Sequence, residues 1–382
     1  MSRPRVLFVT NFATHYRAPF FELLHEQLGA EFLFFSQGGE EYWQPHLGVS
    51  EGHFPGTTIT GGLSLGKLRL NTRLWRALRE SEFDVVICGM GGRVELPMTY
   101  AAARRSDAAF VLWTGMWMHP RSAFHALSHP ATRWLYRHSD AIVTYGEHVS
   151  RFVVAEGANP EGVFSAENAV DNALYSRHVD ATEIQSLRRR FGLGQDRVLL
   201  AVSRLVAEKG LDVLVDAAAG INPPVRLVIV GTGPLASALS AQAASFGLGL
   251  SLVEGLSPAE MPLVYAAADV FVMPSVTTPA VREPWGLACN EAMCQGIPII
   301  ATDAVGAVAG GLVQNEKTGL VVPEGDSHAL RRALESLLRD ETMASRLGAQ
   351  GRARVALTNH ENMVAGFAAA IEHAIEHGGK SS

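Results

Sequence analysis

The stretch Glu283-Pro284-Trp285-Gly286-Leu287-Ala288-Cys289-Asn290-Glu291-Ala292-Met293 sets two carboxylates eight residues apart around an expected helix start. Proline suits a first helical position, since it needs no amide donor and its φ is preset, so Pro284 predicts a helix that begins beside Glu283. The amides of Trp285, Gly286 and Leu287 would then point outward at the positive end of the helix dipole, and Gly286 would let a ligand approach the backbone closely. Eight residues of helix rise about 12 Å and turn to within roughly 80° of the starting face. A diphosphate across the helix mouth, with a polyol at each end, fits that geometry, because carboxylates accept hydroxyl hydrogens.

Outward from this stretch, short apolar runs alternate with longer amphipathic ones, the pattern of parallel sheets covered by helices. The first half predicts strands at 5–10, 31–35, 85–88, 110–113, 141–144 and 163–166. The second half predicts them at 198–202, 227–230, 250–254, 270–273, 298–301 and 320–322. Two α/β domains follow, divided near residues 168–180, where the rhythm breaks before a fresh helix; no sequence repeat relates them. Ligands of open parallel sheets bind outside the carboxyl ends of the strands. The motifs of the second half each follow a predicted strand.

The opening stretch resembles the E-x7-E motif of the family 4 retaining glycosyltransferases, which have the GT-B fold. Ser203-Arg204-Leu205-Val206-Ala207-Glu208-Lys209-Gly210 is similar to the family's GRL-x-x-EKG element. Val230-Gly231-Thr232-Gly233-Pro234-Leu235, Ala268-Asp269-Val270-Phe271-Val272-Met273-Pro274-Ser275 and Glu167-Asn168-Ala169-Val170-Asp171 resemble further elements, in family order. The likeness covers nearly the whole chain and is densest after residue 160. It implies two facing Rossmann-like domains with parallel sheets and an interdomain cleft. Residues 1–170 would hold the acceptor and 171–360 the nucleotide-sugar donor; a helix near 361–376 would pack back on the first domain, ahead of a disordered tail to 382.

The resemblance also implies roles. Glu283 would meet the transferred sugar and Glu291 the ribose hydroxyls, while Arg204 and Lys209 would hold the donor diphosphate. Fixed cations aimed at a leaving group stabilise the charge it gathers in the transition state. Gly231 and Gly233 would let the nucleotide lie close to the chain, with Glu254, Trp285, Gly286 and Leu287 completing the donor set. No DxD motif occurs, so the cations and helix amides would replace a divalent metal, and no cofactor beyond the donor is expected. The leaving diphosphate would itself take the acceptor proton on the same face of the sugar, giving retention.

Two rival readings belong to other classes. Gly231-Thr232-Gly233-Pro234-Leu235-Ala236 fits G-x-G-x-x-A after a strand, with Glu254 about twenty residues on, as in NAD-binding oxidoreductases. Against this, the fingerprint falls mid-domain and no constellation for hydride transfer accompanies it. The other rival is a non-catalytic sugar-nucleotide-binding subunit, which the intact carboxylate and basic pairs oppose.

On the acceptor side, Phe12-Ala13-Thr14-His15-Tyr16-Arg17-Ala18-Pro19-Phe20-Phe21 follows the first strand and resembles the YR-x-P-F opening of a family subset. Ala13 and Thr14 stand where many relatives have a glycine-rich loop. His15, Arg17 and Glu95 are the acceptor-side candidates, each against a purely structural role. His119 is the nearest substitute for a catalytic histidine that relatives carry after the strand at 110–113, where this chain has Trp113 and Thr114. His125, His129 and His138 match no zinc spacing.

Composition bounds these readings. The 382 residues, 47% hydrophobic and 18% charged, suffice for two cores, and a net charge of −6 argues against general nucleic-acid binding. No run reaches the ~18 apolar residues of a membrane span, and the three cysteines form no CxxC pair, so a cytoplasmic enzyme is expected. Lys67, Arg69, Arg73, Arg76 and Arg79 form a basic stripe, with Arg69, Arg73 and Arg76 on one helical face opposite Leu70, Leu74 and Leu78. A solvated face is the ordinary reading of such a stripe; peripheral contact with an anionic membrane, and with it a lipid-linked acceptor, is the other.

Overall fold

A computed structural model describes residues 3–35, 53–59, 63–65, 68–70, 72–80, 82–91 and 94–378. The chain divides into two compact units, one made of Met1–Gly115, Ala126–Glu167 and His360–Ser382, the other of Met116–His125 and Asn168–Asn359.

The first unit holds β1 (Val6–Thr10), β2 (Glu31–Phe34), β3 (Gly56–Thr58), an antiparallel hairpin of β4 (Leu63–Leu65) and β5 (Leu68–Leu70), β6 (Val85–Gly89), β7 (Ala109–Thr114), β8 (Ala141–Thr144) and β9 (Val163–Ser165). Seven of these form one parallel sheet in the order β3-β2-β1-β6-β7-β8-β9. Every residue of β1, β6, β7 and β8 is buried, because helices cover both faces and leave only apolar runs inside. The terminal helix His360–His377 belongs to this unit: Phe367 is fully buried, with ring centroids 5.3 Å from Phe20, 5.8 Å from Trp113 and 5.9 Å from Phe8.

The second unit holds β10 (Arg197–Val202), β11 (Val225–Val230), β12 (Gly249–Val253), β13 (Val270–Met273), β14 (Ile299–Thr302) and β15 (Leu320–Val322). They form one parallel sheet in the order β12-β11-β10-β13-β14-β15. In each sheet the strand order reverses beside the first strand, between β1 and β6 and between β10 and β13. Connections leave those two strands in opposite directions, which opens a crevice beyond their carboxyl ends.

All twelve expected strands are present, with ends within two residues of expectation. The sheet adds β3, an exposed edge of sequence Gly-Thr-Thr with no apolar run to betray it. The basic stripe needs correction. Arg69 and Leu70 lie on β5 and not on a helix, which spans Thr72–Glu80. Within that helix Arg73, Arg76 and Arg79 are exposed, while Leu74 and Leu78 are buried. Lys67, Gly92, Arg93 and the tail at 379–382 lie outside the described residues. Among the described residues no helix is long and apolar enough to cross a membrane. Cys88, Cys289 and Cys294 are free, buried thiols; burial pushes Cys88 up to about 12 and Cys294 up to about 11, so Cys289 and its fellows are core residues.

Candidate active site

The helix expected to begin beside Glu283 begins at Leu287 and ends at Gln295. Its amino-terminal neighbour Gly286 has φ 96°, a left-handed conformation that favours glycine and interrupts any earlier turn. The carbonyls that such a turn would use are captured from elsewhere: Gly306 N–H donates to Glu283 O at 3.0 Å and Ala307 N–H to Trp285 O at 2.7 Å. Trp117 Nε1 also donates to Glu283 O, at 2.9 Å, and its ring lies 3.9 Å beneath the Arg282 guanidinium. The helix-end amides are therefore those from Leu287 onward.

Glu283 is held where the sheet order reverses. Its Oε2 accepts from Lys209 Nζ and, at 3.2 Å, from the Ser275 hydroxyl. Lys209 ends the short turn Ala207–Lys209 after β10, and Ser275 follows β13. The Lys209 and Glu283 side chains are only 13% and 11% exposed, so the pair is largely enclosed. Arg204, on the same β10 loop, donates to Glu208 at 3.1 Å and is about a third exposed. Glu324, beyond β15, pins the loop after β13 by accepting from the Thr277 amide and, at 2.8 Å, from its hydroxyl.

Glu291 lies one turn inside the helix Leu287–Gln295, part of its surface accessible. Its Oε2 accepts from the Tyr265 hydroxyl at 2.5 Å. Burial raises its pKa, and the Tyr265 hydrogen bond and the nearby Tyr175 side chain oppose that rise.

Other expected donor residues are placed differently. The side chain of Trp285 is 1% exposed and anchors the core, donating from Nε1 to Asn290 Oδ1 at 2.9 Å, while Asn290 donates to Asn168 O at 3.1 Å. Gly231 and Gly233 serve the chain itself. A Cβ at 231 would sit 2.0 Å from Ser203 O, and one at 233 would sit 2.5 Å from Leu205 O. Glycine is thus needed for the loop after β11 to lie on the loop after β10, which Leu205 N–H seals by donating to Thr232 O at 2.8 Å. Glu254 is exposed just beyond β12, the edge strand, and is not brought to the Lys209–Glu283 cluster. His119 is partly buried in the segment Met116–His125, two residues after Trp117.

In the first unit a cavity of about 240 Å³ opens beyond the carboxyl ends of β1 and β6, lined by Thr10, Asn11, Thr14, Arg17, Trp113 and Tyr145 among others. Arg17 is buried, its guanidinium 4.8 Å from the Trp113 ring and 5.6 Å from that of Tyr145. His15 and Glu95 do not line this cavity. His15 sits edge-on to Tyr16, and Glu95 heads the helix Glu95–Arg105, accepting from Val94 N–H at 3.2 Å. His129 is paired with Glu156 at 2.8 Å.

Residues 183–354 match the family model of glycosyl transferases group 1. The chain is 30% identical over 275 residues to a 2-deoxystreptamine glucosyltransferase of Streptomyces kanamyceticus, covering 64% of this chain and 67% of that one. The chain belongs to the group 1 glycosyltransferases. It is also 29% identical over 298 residues to a GDP-mannose-dependent alpha-(1-6)-phosphatidylinositol monomannoside mannosyltransferase of Mycolicibacterium smegmatis, covering 76% of each. A structure of Anabaena Alr3699/HepE in complex with UDP and glucose superposes with a TM-score of 0.76 at 19% identity, covering 96% of this chain and 98% of that chain. The lipopolysaccharide glycosyltransferase WaaG gives 0.69 at 15% identity, covering 95% and 98%. Two units of parallel strands and helices, with these neighbours, make this glycosyltransferase a GT-B protein. Its reaction is glycosyl transfer from a nucleotide-sugar, so the oxidoreductase reading of the glycine fingerprint is set aside.

Sequence reading missed Trp117, Glu324 and Tyr265 as supports of the candidate site. Each acts through a contact distant in the chain, and no local pattern marks any of them. Because Trp285 Nε1 satisfies Asn290 Oδ1 in a dry environment, Trp285→Phe is expected to cost about 1–3 kcal/mol. A lowered denaturant midpoint at unchanged m-value would show it, and an unchanged midpoint would refute it.

Proposed function

We propose that this glycosyltransferase moves a hexose from a GDP- or UDP-linked donor to an acceptor hydroxyl with retention at the anomeric carbon and without a divalent metal. The observation that carries the reading is the meeting of Lys209, Ser275 and Glu283 at the switch point of the second sheet, with Arg204 on the same loop and Glu291 on the adjoining helix. An ammonium has three N–H donors and a guanidinium five, so Lys209 and Arg204 can hold their glutamates and still donate to a diphosphate. With Oε2 of Glu283 engaged, Oε1 would accept from a sugar hydroxyl. The leaving diphosphate would take the acceptor's proton on the same face of the sugar, so that the configuration is kept.

The acceptor belongs to the first unit's cavity. Thr14 Oγ1 and Trp113 Nε1 are buried there with no hydrogen-bond partner among the described residues, and a hydroxyl-bearing ring would satisfy both. The mannosyltransferase relatives make GDP-mannose the first donor to try. The test incubates the protein with GDP-mannose, UDP-glucose and UDP-N-acetylglucosamine, with and without chelator, and follows nucleotide release and the anomeric configuration of the product. Release from one donor, unaffected by chelator and with configuration kept, is the expected result. Release from none, or an inverted product, refutes the proposal.

A further inference from the structure

Two phenol groups of the second unit converge on one carboxylate. Tyr265, in the helix Met261–Ala266, is fully buried, and its hydroxyl donates to Glu291 Oε2 at 2.5 Å. Tyr175, at the end of the helix Asn172–Tyr175, is 5% exposed, and its side chain lies close enough to Glu291 to oppose the rise that burial gives that carboxylate's pKa. The two rings pack edge to face, with centroids 6.3 Å apart and an interplanar angle of 71°. A core with no such duty would be served by phenylalanine, since a buried phenol must find an acceptor.

We propose that Tyr265 and Tyr175 are positioning residues that fix the Glu291 carboxylate to read the vicinal hydroxyls of the donor's ribose, and so set the enzyme against 2′-deoxynucleotides. This rests on the donor-site reading of Glu291 given above. An ionised carboxylate offers about four lone-pair positions. The Tyr265 hydroxyl takes one, and enough remain for a diol. A free glutamate would lose rotamer freedom on binding ribose; one already tethered by Tyr265 loses less, so the tether improves affinity as well as geometry. A nucleotide lacking the 2′-hydroxyl leaves one lone pair of a half-enclosed carboxylate unmatched, the kind of mismatch that polar sites reject strongly.

The test uses GDP, UDP and their 2′-deoxy forms as probes, with binding measured by calorimetry on the full chain. The parent should prefer the ribo form of the nucleotide it binds by about tenfold or more, the loss of one hydrogen bond to a charged group. Tyr265→Phe keeps the ring and removes the hydroxyl. It should weaken ribonucleotide binding by about tenfold and shrink the ribo-to-deoxy ratio toward one, while a merely structural tyrosine would lower the melting temperature and leave that ratio alone. Tyr175→Phe provides the same comparison should Tyr265→Phe fail to fold. Unchanged ratios in the tyrosine variants, with the ratio abolished in Glu291→Gln, would overturn the role of the tyrosines and leave the donor site standing. An unchanged ratio in Glu291→Gln would overturn the donor reading of Glu291, and the proposal with it.

Discussion

Lys209→Met lowers nucleotide release from the productive donor by about two to three orders of magnitude, the loss typical when one preorganised charge-stabilising donor is removed. The same substitution strips the largely enclosed Glu283 carboxylate of its cation and leaves it only the Ser275 hydroxyl. Removing one partner of a fully enclosed pair costs roughly 3–5 kcal/mol; because some water reaches this one, about 2 kcal/mol is expected. Lys209→Arg keeps the charge but not the geometry of a compact ammonium, and should recover stability more fully than turnover. Steady-state release assays and melting curves on both variants separate the two effects. Turnover within about threefold of the parent in Lys209→Met would remove Lys209 from the reaction.

Gly306→Ala should be nearly as damaging without touching any charged group. A Cβ at position 306 would lie 2.0 Å from Pro284 O, 2.5 Å from Pro284 C and 2.8 Å from Trp285 Cα, all backbone atoms that cannot swing aside. The segment carrying Glu283 must therefore move, breaking the bond from Gly306 N–H to Glu283 O. Overpacking of this kind costs about 1–3 kcal/mol, which would lower the melting temperature of a unit this size by roughly 3–10 °C. A shift of about 1 Å in a reacting group can cost about a hundredfold in rate. Native melting and native turnover in this variant would show that the contact is not what places Glu283.

Much of the architecture was legible before any coordinates. Strands buried on both faces must be continuously apolar, so β1, β6, β10 and β13 announce themselves, and a switch-point crevice places function just after them. The loops of Lys209 and Glu283, picked out by their resemblance to family motifs, follow β10 and β13 as that rule requires. The start of the helix at Leu287 was not, although proline at 284 obeys every local rule for an earlier start, because Gly306 and Ala307 take the carbonyls on which that start depends. Arg69 was misplaced for a similar reason: its spacing is helical, but pairing with Ser64 holds it in a hairpin.

The amino-acid sequence by itself determined two parallel α/β sheets and the loops that bear cations and carboxylates, because periodicity and strand-end position are local or statistical properties of a chain. Only the tertiary structure decided which partner each group meets: Lys209 on Glu283, Tyr265 on Glu291, Trp117 and Gly306 on one carbonyl, and the core for Trp285. These are contacts between segments far apart in the chain, selected by the requirement that every buried donor and acceptor be paired, and that requirement acts only once the sheets have been packed.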